Sequence, residues 1–371
     1  MATELKSKRL LSLDVLRGFD MLFISGGGMF VYLMKGKTDM NWLNELSKQM
    51  MHPAWGDTIT FFDFIFPLFL FMSGVSLAYS LSSRMAKGAT KQELYKKAAK
   101  RMVLLLVLGL FVKNNPITIF DPSHIRFSSV LGRIGMATFF TTILYLNFSW
   151  KSRLYWVVAI LLSFYAALFL IPVPGFGAGN LSMEGNLMGY IDRAIMPGRL
   201  INGIYDENAL ATSLPAFTFT ILGAWAGDIL RNRSTSSNYK AGLLAIIGVV
   251  SVGLGILWGL HLPIIKKLWT GSFVLVTGGG SFLILSLFYW IIDVKKITGW
   301  VLFFKVIGMN SLLIYLAHHF IDFNFTSHHL FSGLYEPIAE QWHIVWDTFG
   351  ATVLIWLLLY FCYKKNFFLK I

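Results

Sequence analysis

His52 stands in the run His52-Pro53-Ala54-Trp55, just ahead of an apolar stretch that opens Asp63-Phe64-Ile65-Phe66-Pro67. An imidazole where water meets a hydrocarbon edge can take a proton from an attacking nucleophile, or itself attack an acyl group. A lone histidine there is also common with no chemical task, so its neighbours matter. Upstream, Asp14, Arg17 and Asp20 recur at three-residue spacing, one helical turn apart, so that Arg17 can neutralise either acid. Ser25-Gly26-Gly27-Gly28 then strips side chains from the same segment, which lets a second backbone or a ligand approach closely. Arg133, between Gly132 and Gly135, lies inside an apolar run, where a charge costs at least about 2.5–3.5 kcal/mol. It either pairs with an acid such as Asp63 or binds a cofactor phosphate. Asp192 and Arg193 are placed to recognise sugar hydroxyls or an amine, or to form the ion pair of a lid. His318 and His319 are adjacent, hence about 100° apart on a helix and without a companion at ligand spacing, so no metal site is expected.

The elements that must position these residues are apolar and long. Hydrophobic residues make up 56% of the 371 and charged residues 14%, with a mean hydropathy of +0.62. A soluble domain carries about a quarter charged residues, so this chain lacks the polar surface to meet water all round. The charges fall between apolar runs of roughly 20 residues, the length that crosses a bilayer. No short secretory signal followed by soluble sequence is seen. The single cysteine, Cys362, excludes a disulfide framework or a cysteine metal site.

These runs predict an all-α, polytopic membrane protein of about ten transmembrane helices, a single domain over 1–371. The spans fall near 12–34, 58–81, 99–113, 128–147, 155–171, 214–230, 241–260, 271–292, 302–323 and 345–363. Alternate segments hold 20 Lys and Arg on one side and 9 on the other. By the positive-inside rule the richer side, with both termini, is cytoplasmic. The net charge of +13 therefore reports orientation in a membrane, not affinity for nucleic acid. The longer external segments 35–57, 172–213 and 324–344 could cover an outward-facing site. Segment 172–213, rich in Pro and Gly, is read as a folded cap or a mobile lid. Pro67 predicts a bend in the second span.

The ordered set Arg9-Leu-Leu-Ser-Leu-Asp14-Val-Leu-Arg17-Gly18, Gly26-Gly27-Gly28, His52-Pro53-Ala54-Trp55 and Asp63-Phe64-Ile65-Phe66-Pro67 resembles the heparan-α-glucosaminide N-acetyltransferase family. The likeness continues through Arg101, Val130-Leu131-Gly132-Arg133-Ile134-Gly135, Gly189-Tyr190-Ile191-Asp192-Arg193, Lys266 with Leu268 and Trp269, and Gly308-Met309-Asn310-Ser311 with His318. The resemblance implies transfer of acetyl from cytosolic acetyl-CoA, a co-substrate, to the amine of a glucosamine-type sugar on the far side of a bacterial inner membrane. It places His52 at the chemistry, as general base or covalent carrier. Ser25, Asn310 and the amides of the glycine run are candidate donors to the oxyanion. Lys100, Arg101 and Arg133, with Gly26, Gly27 and Gly28, are the candidate donor-binding residues, arginine because its planar fork suits phosphate. Trp55, Asp63, Asp192, Lys266, Trp269 and His318 are the candidate acceptor-binding residues. The expected partners are acetyl-CoA, a sugar and the bilayer, with a homodimer left open and nucleic acid excluded.

Two further classes fit parts of this pattern. A sugar O-acetyltransferase would use the same donor and differ only in its nucleophile. A transporter of amino sugars would also show many spans and intramembrane charges, yet the sequence has no evident internal repeat.

Overall fold

A computed structural model describes residues 10–56, 58–114 and 122–369. Arg9 of the opening motif lies outside them, as do Lys6, Lys8 and Lys370 of the basic ends. The described residues are helical, with two isolated β-bridges, Arg126 with Gly198 and Val173 with Gly177, and no named strand. In chain order the helices are α1 (Leu11–Ile24), α2 (Met29–Tyr32), α3 (Asn41–Lys48), α4 (Phe62–Met85), α5 (Lys91–Lys113), α6 (Val130–Asn147), α7 (Trp150–Leu170) and α8 (Leu187–Ile195). They continue with α9 (Ser213–Arg231), α10 (Ser237–Gly259), α11 (Gly271–Phe288), α12 (Val301–Met309), α13 (Ser311–Phe320), α14 (Phe323–Tyr335) and α15 (His343–Lys364).

Seven helical segments are long and apolar enough to cross a bilayer, and α12 with α13, bent by 71° at Asn310, makes an eighth if counted as one span. This is the architecture of a polytopic membrane protein. The expected spans at 12–34 and 99–113 are outside that set, for different reasons. The first is interrupted. α1 has 14 residues, roughly 21 Å at 1.5 Å per residue, before Gly26 takes a φ of +88° and turns the chain into α2. The second is the apolar half of a longer helix: α5 starts on a Thr90–Glu93 capping box and carries six Lys, Arg and Glu residues in its first eleven positions. α4 runs from Phe62 to Met85 as one helix with Pro67 inside it.

The chain divides into two compact units. Of the described residues, the larger comprises 54–56, 58, 70–114 and 122–286. α9 is its central helix, packed by α6 and α7, with Phe219, Ile221 and Ala224 fully buried. α10 is its opposite, presenting Ile246, Val249, Leu254 and Leu257 outward. Such an apolar face is a liability in water and the natural contact with lipid. Segment 172–213 is a folded cap. Val173, Leu187 and Met188 pack with Phe164, Leu168, Ile265 and Leu268, and the Arg199 N–H reaches the Ile125 carbonyl at 3.0 Å.

Of the described residues, the smaller unit comprises 10–53, 59–69 and 287–369. Its core gathers Met21, Val306, Ile307, Ile314, Ala351, Ile355 and Leu359 from α1, α12, α13 and α15. In a bilayer, apolar burial does not drive helices together, so close packing and small residues must. α1 and α12 show how. A Cβ at Gly18 would lie 1.7 Å from the Phe304 carbonyl oxygen, and one at Gly308 2.0 Å from that of Asp14. Only two facing glycines allow backbones this close.

Candidate functional site

Within the smaller unit, two stretches of chain are stapled side by side. The Phe62 N–H donates to the Gln49 carbonyl at 3.0 Å, the Phe61 N–H to Gln49 Oε1 at 2.9 Å, and Thr60 Oγ1 to the Met51 carbonyl at 2.8 Å. These bonds fix the backbone that carries His52 against the start of α4, which carries Asp63. Asp63 sits in the first turn of α4, where a negative charge is favoured by the helix dipole. One carboxylate oxygen reaches back to the Thr60 N–H at 3.0 Å, as the return arm of a capping box does. The other lies 2.7 Å from His52 Nδ1.

This geometry sets the state of the ring. Asp63 is fully buried, whereas the His52 side chain is 37% exposed. A carboxylate accepts and does not donate, so the proton shared with it sits on Nδ1, and in the neutral ring the lone pair is on Nε2. Phe62 packs against the imidazole, ring centroids 4.8 Å apart. A buried acid that fixes the tautomer of a half-open histidine is the arrangement by which a base or nucleophile is oriented for acyl transfer.

The other expected residues of this unit are placed as follows. Arg17 Nη1 donates to Asp14 Oδ1 at 3.4 Å, the anticipated ion pair. Asp20 is fully buried, and its two oxygens have no hydrogen-bond partner among the described residues. Gly26 faces His318, its absent Cβ 3.7 Å from the ring's Cε1, and Gly28 packs beneath Met50. Gly27 lies between them in the turn, against Leu22. Ser25 directs its hydroxyl to the Met21 and Leu22 carbonyls at 2.8 and 3.1 Å, so its proton is committed to the helix. Asn310 was expected to donate to an oxyanion. Its Nδ2 instead donates to the Phe367 carbonyl at 2.9 Å and its Oδ1 accepts from the Leu369 N–H at 3.1 Å, so the amide ties the C-terminal segment to the break between α12 and α13. A buried amide so engaged holds a helix break together.

The larger unit gathers a second set of charges. Arg133 is fully buried. Its Nη2 donates to the Glu207 and Ala209 carbonyls and, at 2.7 Å, to Thr212 Oγ1, while its guanidinium lies 4.8 Å from the Trp269 ring centroid. The residue expected on a cofactor phosphate thus clamps the cap onto α6. Lys266 Nζ lies 3.6 Å from Glu207 Oε2. Asp192 is fully buried; one oxygen accepts the Ala211 N–H at 3.0 Å. Burial pushes its carboxyl up to about 6, against the lowering influence of that N–H and of Arg133. Arg126 grips Asp206 with two bonds of 2.6 and 2.7 Å. Burial alone would raise the Asp206 carboxyl; the Arg126 hydrogen bonds and charge reverse this and hold it below the usual range. Trp55 donates its indole N–H to the Leu181 carbonyl at 2.9 Å and meets Tyr205 edge-on, centroids 4.8 Å apart, which anchors the chain three residues past His52. Lys100 and Arg101 are exposed on α5.

Reading along the chain did not join His52 to Asp63, nor find Arg126, Asp206 and Glu207. A local signal existed for the first pair: Thr60-Phe61-Phe62-Asp63 ahead of an apolar run is a capping pattern that fixes where the carboxylate points. The second had none, since Arg126 and Asp206 are 80 residues apart. Among the described residues no three His, Cys, Asp or Glu side chains gather as a metal would need.

Comparison with known proteins identifies the family of this helical domain. The model of an acyltransferase domain matches residues 10–363, and the chain belongs to that acyltransferase family. It is 27% identical over 426 residues to the heparan-alpha-glucosaminide N-acetyltransferases of Homo sapiens and Mus musculus. That alignment covers 98% of this chain but 60% and 61% of those two proteins, so the chain spans about three fifths of the length of the relatives it matches.

Proposed function

We propose that this protein transfers acetyl from cytosolic acetyl-CoA to the amine of a glucosamine-type sugar on the periplasmic side of a bacterial inner membrane. The observation that carries the reading is the His52–Asp63 pair, one member fully buried and the other 37% exposed. The names of the two relatives supply the acceptor class, and the 20-to-9 division of basic residues supplies the orientation, with the His52 segment outside. Arg101 and Lys100, exposed on the side assigned to the cytoplasm, are suited to the phosphates of CoA.

In the direct route, His52 Nε2 takes the proton of the acceptor amine as its nitrogen bonds to the thioester carbonyl carbon. The carbon–sulfur bond then breaks and CoA leaves as the thiolate. In the covalent route Nε2 itself attacks the carbonyl, the thiolate leaves, and the amine takes acetyl from the imidazole. Asp63 stabilises the ring's positive charge in both. A sugar hydroxyl could replace the amine on the same pair, and supplying labelled acetyl-CoA with glucosamine or with N-acetylglucosamine separates the two acceptors.

His52→Ala is expected to lower transfer about 10²–10⁴-fold while acetyl-CoA binding and stability in detergent stay near wild type. Labelled acetyl retained on wild-type protein without acceptor marks the covalent route. Near-normal turnover in His52→Ala would sink both routes together.

A further inference from the structure

A cavity of about 320 Å³ in the larger unit lies between α5 and the first turn of α6, with Met196 and Leu210 of the cap on a third side. This is within the range of small-molecule sites, about 300–1,000 Å³. Its walls are mostly hydrocarbon, with Leu106, Val107 and Leu110 from α5 facing Met136 from α6. Val107 is 45% exposed, so this wall reaches the apolar surface of the unit. Among the described lining residues a single one is charged, Arg133.

That arginine is fully buried and only partly used. Nη2 donates to the cap and the guanidinium face meets Trp269, but Nε and Nη1 have no hydrogen-bond partner among the described residues. Contact with a ring face leaves in-plane N–H groups unused. No nearby carboxylate supplies the acceptor. Asp206 is bonded to Arg126, Glu207 lies beside Lys266, and Asp192 accepts the Ala211 N–H with one oxygen while the other has no partner among the described residues. Burying idle donors on a charged group is costly unless a ligand accepts from them. The same turn favours an anion in two further ways. Arg133 sits in the first turn of the 18-residue α6, at the positive end of its dipole. Ser129, the N-cap, accepts the Gly132 N–H at 3.0 Å, and its own O–H is committed to no described residue.

We propose that this cavity binds a single-chain fatty acid, its alkyl chain along Leu106, Val107 and Leu110 and its carboxylate accepting from Arg133 and Ser129. Apolar walls of this size suit one hydrocarbon chain, and one arginine with one hydroxyl suits a headgroup as small as a carboxylate. Because Arg133 also holds the Glu207 and Ala209 carbonyls, the ligand would complete the residue that clamps the cap. This binding is separate from acyl transfer and is measured without acetyl-CoA, so failure of either reading leaves the other standing.

Full-length protein in phosphatidylcholine nanodiscs is irradiated with a photoreactive dodecanoate at alkaline pH, where the carboxyl is ionised, and the labelled peptides are mapped by mass spectrometry. Label is expected on the peptides that hold Leu106, Leu110 and Met136. Dodecanoate is expected to displace it at about ten-fold lower content than dodecanol, as for a hydrogen bond to a charged group. Val107→Trp, which fills the exposed rim, is expected to remove the label. Arg133→Lys keeps a donor for the cap carbonyls but lacks the other N–H groups, so the label should persist while the preference for acid over alcohol is lost. Where Arg133→Lys fails to fold, the acid-to-alcohol comparison and Val107→Trp decide. Equal displacement by the alcohol in wild type, or label unaffected by Val107→Trp, overturns the proposal. Loss of label in phosphatidylglycerol nanodiscs also overturns it, since a lipid headgroup would then hold the site.

Discussion

Asp63 and Asp206 are both fully buried carboxylates, one in each compact unit, and they are tied to very different partners. Asp206 has both oxygens on the guanidinium of Arg126, itself 5% exposed, with further bonds from Ser128 and the Asn208 N–H. Both members of the pair are buried. Asp63 has one oxygen on a backbone N–H and the other on a partly exposed imidazole. The first pair can only hold the cap in place. The second can exchange a proton with whatever approaches Nε2. Burial of a charge is thus not a sign of function by itself; what distinguishes the second pair is an imidazole partner that is partly exposed.

Substitution should separate the two kinds. The largest effect beyond loss of His52 is expected from Asp206→Ala, which leaves Arg126 buried and unpaired. Breaking such a pair costs about 3–5 kcal/mol, so the thermal transition should fall sharply, while transfer per folded molecule stays close to wild type. An unchanged transition would mean that the cap does not depend on this pair.

Asp63→Asn should do the opposite. Asparagine keeps the volume and can still accept the Thr60 N–H with its oxygen, but its amide then donates to His52 Nδ1 and drives the ring proton to Nε2. A fall in transfer of about 10²-fold or more is expected, with the thermal transition moved little. Wild-type turnover in Asp63→Asn would reduce the dyad to a structural contact and erase the contrast with Asp206.

The smallest effect concerns Asp192. Its carboxyl titrates at about 6 in the folded chain, above the value of about 3.9 expected when unfolded. The folded state therefore binds this proton more tightly. The resulting stabilisation is fully present below about pH 4 and is lost as pH rises through about 6. Asp192→Asn, whose oxygen can still accept the Ala211 N–H, should flatten that part of the dependence of Tm on pH and be the more stable variant above pH 6. A Tm profile identical to wild type between pH 4 and 6.5 would show that the Asp192 carboxyl is not raised.

Much of the architecture was legible residue by residue. Hydropathy is local and nearly additive over some 20 residues, so the apolar runs announced a helical membrane protein with no packing information. Counts at the margin were less legible, because a span also needs continuity. Gly26-Gly27-Gly28 could be read as a place of close approach, but its φ of +88° and the turn that shortens α1 follow from what packs there. His52 stood out from its position and company in the sequence. Its acid did not.

What the sequence alone determined, then, is the class of element at each place and the kinds of side chain available: apolar helices, a histidine before α4, an arginine inside α6. Which groups meet was decided by tertiary structure. Arg133 lies over Trp269 and clamps the cap, Asn310 holds the C-terminal segment, and Asp63 meets His52 across 11 residues. The physical reason is that a hydrogen bond forms only within about 3 Å and along a narrow range of angles. A span of apolar residues is specified by its own composition, whereas a bond is specified by the relative placement of two backbones, which no single segment encodes.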